Sequence, residues 1–153
     1  MAFLRDSDRG IEVYLSRRPA HFRYYPGAFV FPGGRADLDD DDLRTTAARE
    51  VREEIGIEID LERLRLLRES FTSAHAGPVY HMFVFAYHVE GELPTRPNPD
   101  EVEEEIWISA LEARDQLELP YQIYVAVETI ARYDTVKTLI SALESGGPAG
   151  FFG

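Results

Sequence analysis

The chain has 153 residues, 44% of them apolar and 29% charged, which suits one folded domain over residues 1–153 and leaves no room for a second. Its formal net charge of −12 argues against a nucleic-acid polymer or an anionic membrane as partner, because affinity for a phosphate backbone needs a basic face. Cysteine is absent, which excludes disulfides and thiolate metal sites and makes a reducing cytoplasm the expected compartment; no long apolar run or leader pattern predicts a membrane span or a signal peptide.

In chain order, Ala2 to Leu4 reads as the remnant of a first strand and residues 6–10 (DSDRG) as a polar turn. Ile11, Val13 and Leu15 then alternate as a half-buried strand does. Proline and glycine punctuate a loop from Pro19 to Gly27, and a short apolar strand leads through Pro32 into Gly33 and Gly34. After the acidic run DLDDDD (37–42), Asp41 and Asp42 stand where an N-cap and the helix dipole favour acids. A helix is therefore predicted to open near Leu43 and to close at Gly56 as its C-cap, with Ala48, Val51 and Ile55 facing a sheet. Residues 64–73 and 80–90 read as two long strands around a turn at 75–78, and 104–109 as a shorter strand. Ser109 with Glu112 predicts a capping box. One helical region from about Tyr121 to Leu143 and a loose tail at about 145–153 complete the chain.

The segment REVREEIGI (49–57) carries the chemistry. Glu50, Glu53 and Glu54 fall at i, i+3 and i+4 and crowd one helical face. Like charges at that spacing cost a helix roughly 0.2–0.5 kcal/mol per pair. Arg49 and Arg52 offset part of this repulsion, and a divalent ion with oxygen ligands would offset more. For an isolated helix the plainer account is a solvated acidic stripe. The glycine pair just ahead favours the ion, because backbone without Cβ approaches a ligand closely and its carbonyls are hard donors. Arg17, Arg18, Arg23 and Arg35 flank the glycine pair, and guanidinium forks match phosphate oxygens.

Competing motifs fail on their own terms. The aspartate run is no calcium loop, since Asp42 and Ala48 stand where that loop needs glycine and a bidentate glutamate. His21, His75, His81 and His88 lack metal-ligand spacing, and no dinucleotide fingerprint, P-loop or nucleophile elbow occurs.

The 29–57 stretch resembles the signature of the Nudix hydrolases: a glycine, a glutamate, then Arg-Glu-apolar-any-Glu-Glu-any-Gly-apolar. Arg49, Glu50, Val51, Glu53, Glu54, Gly56 and Ile57 match every defined position of its second half. In the first half Asp41 stands for the glutamate and Arg35 for the glycine, one residue past Gly34, as in a loop one residue longer. Upstream, residues 15–34 are similar to the stretch that precedes the box in coenzyme A diphosphatases. Arg18, Arg23, Gly27 and FPGG at 31–34 coincide, while Pro19, Tyr25 and Ala28 replace its Ser, His and Gln. Residues 97–112 are similar to that subgroup's Pro-Asn-x-x-Glu-Val segment.

The resemblance implies an α/β fold, the Nudix-type α/β/α sandwich with a mixed β-sheet, and attack of water on a small-molecule diphosphate with Mg²⁺ or Mn²⁺ as cofactor. It assigns metal binding to Glu50, Glu53, Glu54 and a backbone carbonyl of Gly33 or Gly34, the latter preferred. Glu53 and Glu54 are its surest catalytic groups, and Arg49 is expected to orient a box carboxylate. Among Glu101, Glu103, Glu104 and Glu105, Glu101 is the chosen general base. Arg18, Arg23, Arg35 and Gly33 are the expected substrate contacts. Coenzyme A or its thioesters lead the substrates, with ADP-ribose, a nucleotide sugar or a dinucleoside polyphosphate as alternatives. A weakly catalytic nucleotide sensor on the same fold is the alternative of another class. Dimers are common among such relatives, so a homodimer is compatible with the resemblance.

Overall fold

The computed structural model describes residues 1–33, 42–71 and 81–146. Strand β1 (Ala2–Ser7) turns at Asp8 and Arg9 into β2 (Gly10–Arg17), and the two pair antiparallel from Ser7 with Gly10 to Leu4 with Val13. The further elements are β3 (Phe29–Val30), α1 (Leu43–Ile55), a single 3-10 turn at Leu61–Arg63, β4 (Arg65–Phe71), β5 (His81–His88), β6 (Glu104–Ser109), α2 (Ala110–Gln116), α3 (Tyr121–Ala131) and α4 (Val136–Glu144).

The strands form one mixed sheet in the order β3-β2-β1-β5-β4, with β6 on the other edge of β2. Glu12 and Val13 show this directly: they pair with Arg5 and Leu4 of β1 on one edge and with Ser109 and Ile108 of β6 on the other. β1 and β5 run parallel, Ala2 beside Ala86 and Leu4 beside His88. Far from being a remnant, β1 is therefore an interior strand of the sheet, and Ala2, Phe3 and Leu4 are wholly buried. A strand covered on both faces reads as a continuous apolar run without alternation, so its short length in sequence understated its place.

Period-two alternation divides the core between two faces. Leu4, Val13, Leu15 and Ala86 point to the side closed by Ala113, Ala126, Val127, Ile130, Val136 and Leu139 of α2, α3 and α4. Their neighbours Phe3, Tyr14, Phe85 and Tyr87 point the other way, onto Val51 and Ile55 of α1. This is the sandwich expected from the resemblance, with α1 alone on its face among the described helices.

Three local expectations change. The inner face of α1 runs through Ala47, Val51 and Ile55, spaced i, i+4, i+8, and Ala48 stands outside that cluster. The single helical region after Tyr121 is two helices, because Thr135 starts afresh. Its hydroxyl accepts from the Thr138 N–H at 3.2 Å, while the Asp6 carboxylate, from the end of β1, accepts from the Val136 N–H at 2.8 Å. Only half of the capping box forms: Ser109 Oγ accepts from the Glu112 N–H at 3.1 Å, but the Glu112 carboxylate is engaged by Arg9 at 2.7 Å. β4 and β5 pair antiparallel as predicted, with an irregularity between Leu66 and Arg68. The turn at 75–78 and residues 147–153 of the tail lie outside the described residues. Among the described residues no helix is long and apolar enough to cross a membrane.

Candidate active site

The acid-bearing helix is fixed at three points. At its start the Asp42 side chain accepts from the Thr45 N–H at 2.8 Å. Along its length Val51 and Ile55 are fully buried, each worth about 1.5–3 kcal/mol relative to an exposed position. At its end Gly56 adopts φ +71°, and its N–H donates to the Arg52 carbonyl at 3.0 Å. A Cβ added at Gly56 would lie 3.0 Å from the Arg96 Cβ, so glycine is required there by space as well as by φ.

Arg96 is close because a distant segment caps this helix. The carbonyls of Glu54 and Ile55, which have no partner within the helix, accept from the N–H groups of Asn98 and Arg96, both at 2.7 Å. Asn98 then organises a turn. Its side chain accepts from the Asp100 N–H at 3.0 Å, and its carbonyl accepts from the N–H groups of Glu101 and Val102 at 3.0 and 2.9 Å. Val102 is buried in the core beneath α1, and Glu101 is thereby carried to the carboxylates of the helix.

Glu54 is the most perturbed of these. Its Oε2 accepts from the Gly33 N–H at 3.1 Å. Burial pushes its carboxyl up to about 8 from the usual 4.5, and the charges of Glu50 and Glu101 add to the rise, against the opposing pull of the Gly33 bond and the Met1 amine. Glu50 is also raised, by burial first, with Arg49 opposing and Glu53 and Glu101 assisting. Arg49 Nη1 reaches Glu50 Oε1 at 2.9 Å and Glu53 Oε1 at 3.3 Å. The Glu53 side chain remains 51% exposed, at the rim. Beneath them Tyr14 Oη donates to Glu105 Oε1 at 2.7 Å; burial and this bond, with the charges of Glu105 and Glu54, push the phenol well above its ordinary value.

The four loop and strand acids therefore separate. Glu101 and Glu105 turn inward, whereas Glu103 and Glu104 flank the Arg17 guanidinium at 3.6 and 3.1 Å on the surface. Arg17 is thus occupied by its own strand neighbours. Arg18 lies closer to the acids: the charge of Glu54 reaches it, Nε donates to the Tyr24 carbonyl at 2.9 Å, and the guanidinium covers the Phe22 ring at 4.5 Å. Arg23 sits out on the same loop, over the Tyr24 ring at 5.5 Å. The Gly33 N–H is engaged by Glu54. Gly34, Arg35 and Asp41 lie outside the described residues.

Two features escaped the sequence reading. Tyr14 could have been found, since period two places it on the α1 side of β2, opposite Val13 and Leu15. The docking of residues 96–98 on the helix end carries no local signal. A separate cavity of about 730 Å³ opens beside Arg63, Tyr87, His88 and Arg96 and contains none of Glu50, Glu53, Glu54 or Glu101.

The donor set suits a divalent cation. Glu101 Oε2 is buried without a hydrogen-bond partner among the described residues, and its charge adds to burial in disfavouring the ionised forms of Glu50 and Glu54. Among the described residues no three acids or histidines close into a finished metal cage, although Glu50, Glu54 and Glu101 are near enough for their charges to act on one another.

A fold of this topology, with a glutamate-bearing helix whose Glu54 accepts from the Gly33 amide, defines a Nudix-type domain. The chain belongs to this family: the NUDIX domain matches residues 1–126. The proteins named Nudix hydrolase NudL from Yersinia pestis (strain Pestoides F) and Yersinia pseudotuberculosis (serotype O:1b) are each 35% identical over 90 residues, 59% of this chain and 44% of theirs. The chain thus spans under half the length of these curated relatives. Among solved structures, the NUDIX hydrolase of Alicyclobacillus acidocaldarius is similar with a TM-score of 0.79 at 20% identity, over 93% of both chains. The NUDIX domain of Shewanella oneidensis NrtR, complexed with ADP ribose, gives 0.69 at 17% over 86% of this chain and 82% of that one. A C. elegans Ap4A hydrolase binary complex gives 0.66 at 18% over 86% and 91%. At these identities the likeness is one of fold.

Proposed function

We propose that this chain hydrolyses a phosphoanhydride bond in a nucleoside diphosphate derivative, with a divalent cation as cofactor. The observation that carries this reading is the electrostatic proximity of Glu50, Glu54 and Glu101, with one buried carboxylate oxygen of Glu101 lacking a hydrogen-bond donor among the described residues. Glu50, Glu54 and Glu101, with Glu53 at the rim, would hold a cation such as Mg²⁺ or Mn²⁺. When bound, that cation supplies neutralisation of phosphate charge and an acidified water. The chain's own residues do the rest. The Gly33 amide fixes the Glu54 carboxylate, and Arg49 spans Glu50 and Glu53 and sets their orientation. Arg18, whose guanidinium lies within the field of Glu54, is the cation offered to a phosphate. Glu101 is the preferred proton acceptor, with Glu105 the second inward acid, held by Tyr14.

Coenzyme A or an acyl-CoA is the substrate favoured by the match at residues 15–34, and ADP-ribose, nucleotide sugars and dinucleoside polyphosphates are the alternatives. Two fold neighbours support the broader class in their own right, one complexed with ADP ribose and one named as an Ap4A hydrolase. The test is phosphate or nucleotide release from coenzyme A, ADP-ribose, a nucleotide sugar and a dinucleoside polyphosphate with Mg²⁺ or Mn²⁺. Cation-dependent release from at least one is expected. Silence across the panel, together with saturable binding of a member, would replace hydrolysis by ligand sensing.

A further inference from the structure

The segment that carries Glu101 is tied to the end of α1 by its main chain, and its sequence is suited to the task. Residues 96–102 read Arg-Pro-Asn-Pro-Asp-Glu-Val. Arg96 and Asn98 each precede a proline, which biases both toward extended backbone before any contact forms. Their N–H groups are the two that meet the helix, on the Ile55 and Glu54 carbonyls. Pro97 stands between them, where no donor is called for; its ring fixes φ and removes freedom from the unfolded chain.

At Asn98 the chain turns. The Asn98 carbonyl accepts from the Glu101 N–H at 3.0 Å and from the Val102 N–H at 2.9 Å. Asparagine opens this turn and Pro99 takes its first central position, as both residues favour. The Asn98 side chain closes it from within, Oδ1 accepting from the Asp100 N–H at 3.0 Å. Asn98 therefore binds the main chain of Glu54 through its amide and that of Glu101 through its carbonyl. Among the described residues no bond joins its side chain to the acids themselves. Past the turn Val102 is buried, and the Glu103 N–H donates to the Arg17 carbonyl at 2.9 Å, where β6 begins to pair with β2. Glu101 thus stands between one anchor at residue 98 and another at residue 103. The stretch leading to the helix end is held less. Gly91, Glu92 and Pro94 are exposed, and the bond from the Thr95 N–H to the Leu93 carbonyl, at 2.9 Å, is internal to it.

We propose that Asn98 is a positioning residue of the site. It fixes Glu101 relative to Glu54, so that the two acids form one rigid pair whose separation is set at residue 98 and not by the length of chain leading to it. This rests on the functional reading above and adds to it a neutral residue that acts only through another. Asn98→Ala keeps both main-chain bonds but leaves the Asp100 N–H without its acceptor, so the turn is free to open and Glu101 to move. A serine hydroxyl makes the same turn more weakly, which marks Asn98→Ser as the neutral variant that restores part of the function.

The test compares wild type, Asn98→Ala, Asn98→Ser, Glu101→Gln and the double variant of Asn98→Ala with Glu101→Gln. The readouts are kcat and KM on a diphosphate, Mn²⁺ affinity by electron paramagnetic resonance, and hydrogen exchange of the Glu101 and Val102 amides by NMR. Asn98→Ala should lower kcat and Mn²⁺ affinity by roughly 10- to 100-fold with little change in KM, and Asn98→Ser should recover part of each. In the Glu101→Gln background, adding Asn98→Ala should cost less than about twofold more, because the two residues act as one. Chain length supplies an independent arm. A glycine inserted between Gly91 and Glu92 should leave kcat and Mn²⁺ affinity as they are, whereas one inserted between Asp100 and Glu101 should match Glu101→Gln. Wild-type kcat and Mn²⁺ affinity in Asn98→Ala overturn the proposal. So does a full loss from Asn98→Ala in the Glu101→Gln background, or a damaging insertion at Gly91. A wild type silent on every diphosphate refutes hydrolysis and leaves Asn98 to the other two readouts. Weaker Mn²⁺ binding with amide exchange faster by about tenfold in Asn98→Ala then upholds its role, and unchanged values of both overturn it.

Discussion

Removing the Glu54 charge should stabilise the cation-free protein at alkaline pH. The sign follows from the direction of its shift. The folded carboxyl sits at about 8 against an ordinary 4.5, so folding disfavours its ionised form. Its contribution to stability is therefore complete below the unfolded value and is lost as pH rises through the folded one. Integrating between those two values gives a loss of about 4 kcal/mol between roughly pH 4.5 and pH 8. For a chain of this length that corresponds to a Tm lower by about 8–16 °C. Glu54→Gln retains an oxygen for the Gly33 N–H and carries no charge, so its melting temperature should lack this component of the decline. At about pH 8 in chelator the variant should accordingly melt above the wild type. Mg²⁺ or Mn²⁺ should then raise the wild type more than the variant, because the cation binds the ionised carboxylate. The measurement is a series of calorimetric or circular-dichroism melts of both proteins across this pH range, with chelator and with cation. Parallel curves in chelator would refute the burial argument, and equal stabilisation of both proteins by the cation would refute Glu54 as its ligand.

Four further outcomes are expected. Glu53→Gln should abolish most turnover while melting as the wild type does, since its side chain is half exposed and, among the described residues, tied only to Arg49 at the rim; near-normal diphosphatase rates would remove it from the site. Glu101→Gln should lower kcat by about 10²–10⁴ if this residue accepts the proton, and the pH–rate profile should lose its acidic limb; an unchanged profile would transfer that role to Glu105. Gly56→Ala should destabilise the fold by about 1–3 kcal/mol, from the positive φ and the 3.0 Å approach to Arg96, as read from the urea midpoint. Arg18→Ala should raise KM for a diphosphate several-fold, whereas Arg17→Ala, whose exposed pairs with Glu103 and Glu104 are worth under about 1 kcal/mol, should change neither KM nor stability appreciably.

Much of this site is local, and local features were legible from residue order. Asp42 and Gly56 mark the ends of α1 through bonds spanning three or four residues, and Glu50, Glu53 and Glu54 share a face because 3.6 residues make a turn. The alternation of Ile11, Val13 and Leu15 likewise announced β2. Such signals are carried by neighbours in the chain, so no knowledge of the fold is needed to read them. The second half of the site obeys a different geometry. Glu101 reaches Glu54 only because the Asn98 and Arg96 amides cap the end of a helix more than forty positions earlier. Glu103 and Glu104 face Arg17 while Glu105 faces Tyr14, because β6 pairs with β2 in one register and no other. The start of α4 is held in part by Asp6, from the end of β1, and the raised carboxyl of Glu54 is a product of burial, which no pattern of spacing encodes. Periodicity and capping chemistry thus determined the helix and its acids. Strand order and register decided which distant acids join them, since those pairings depend on how the sheet closes around the chain rather than on any residue's immediate neighbours.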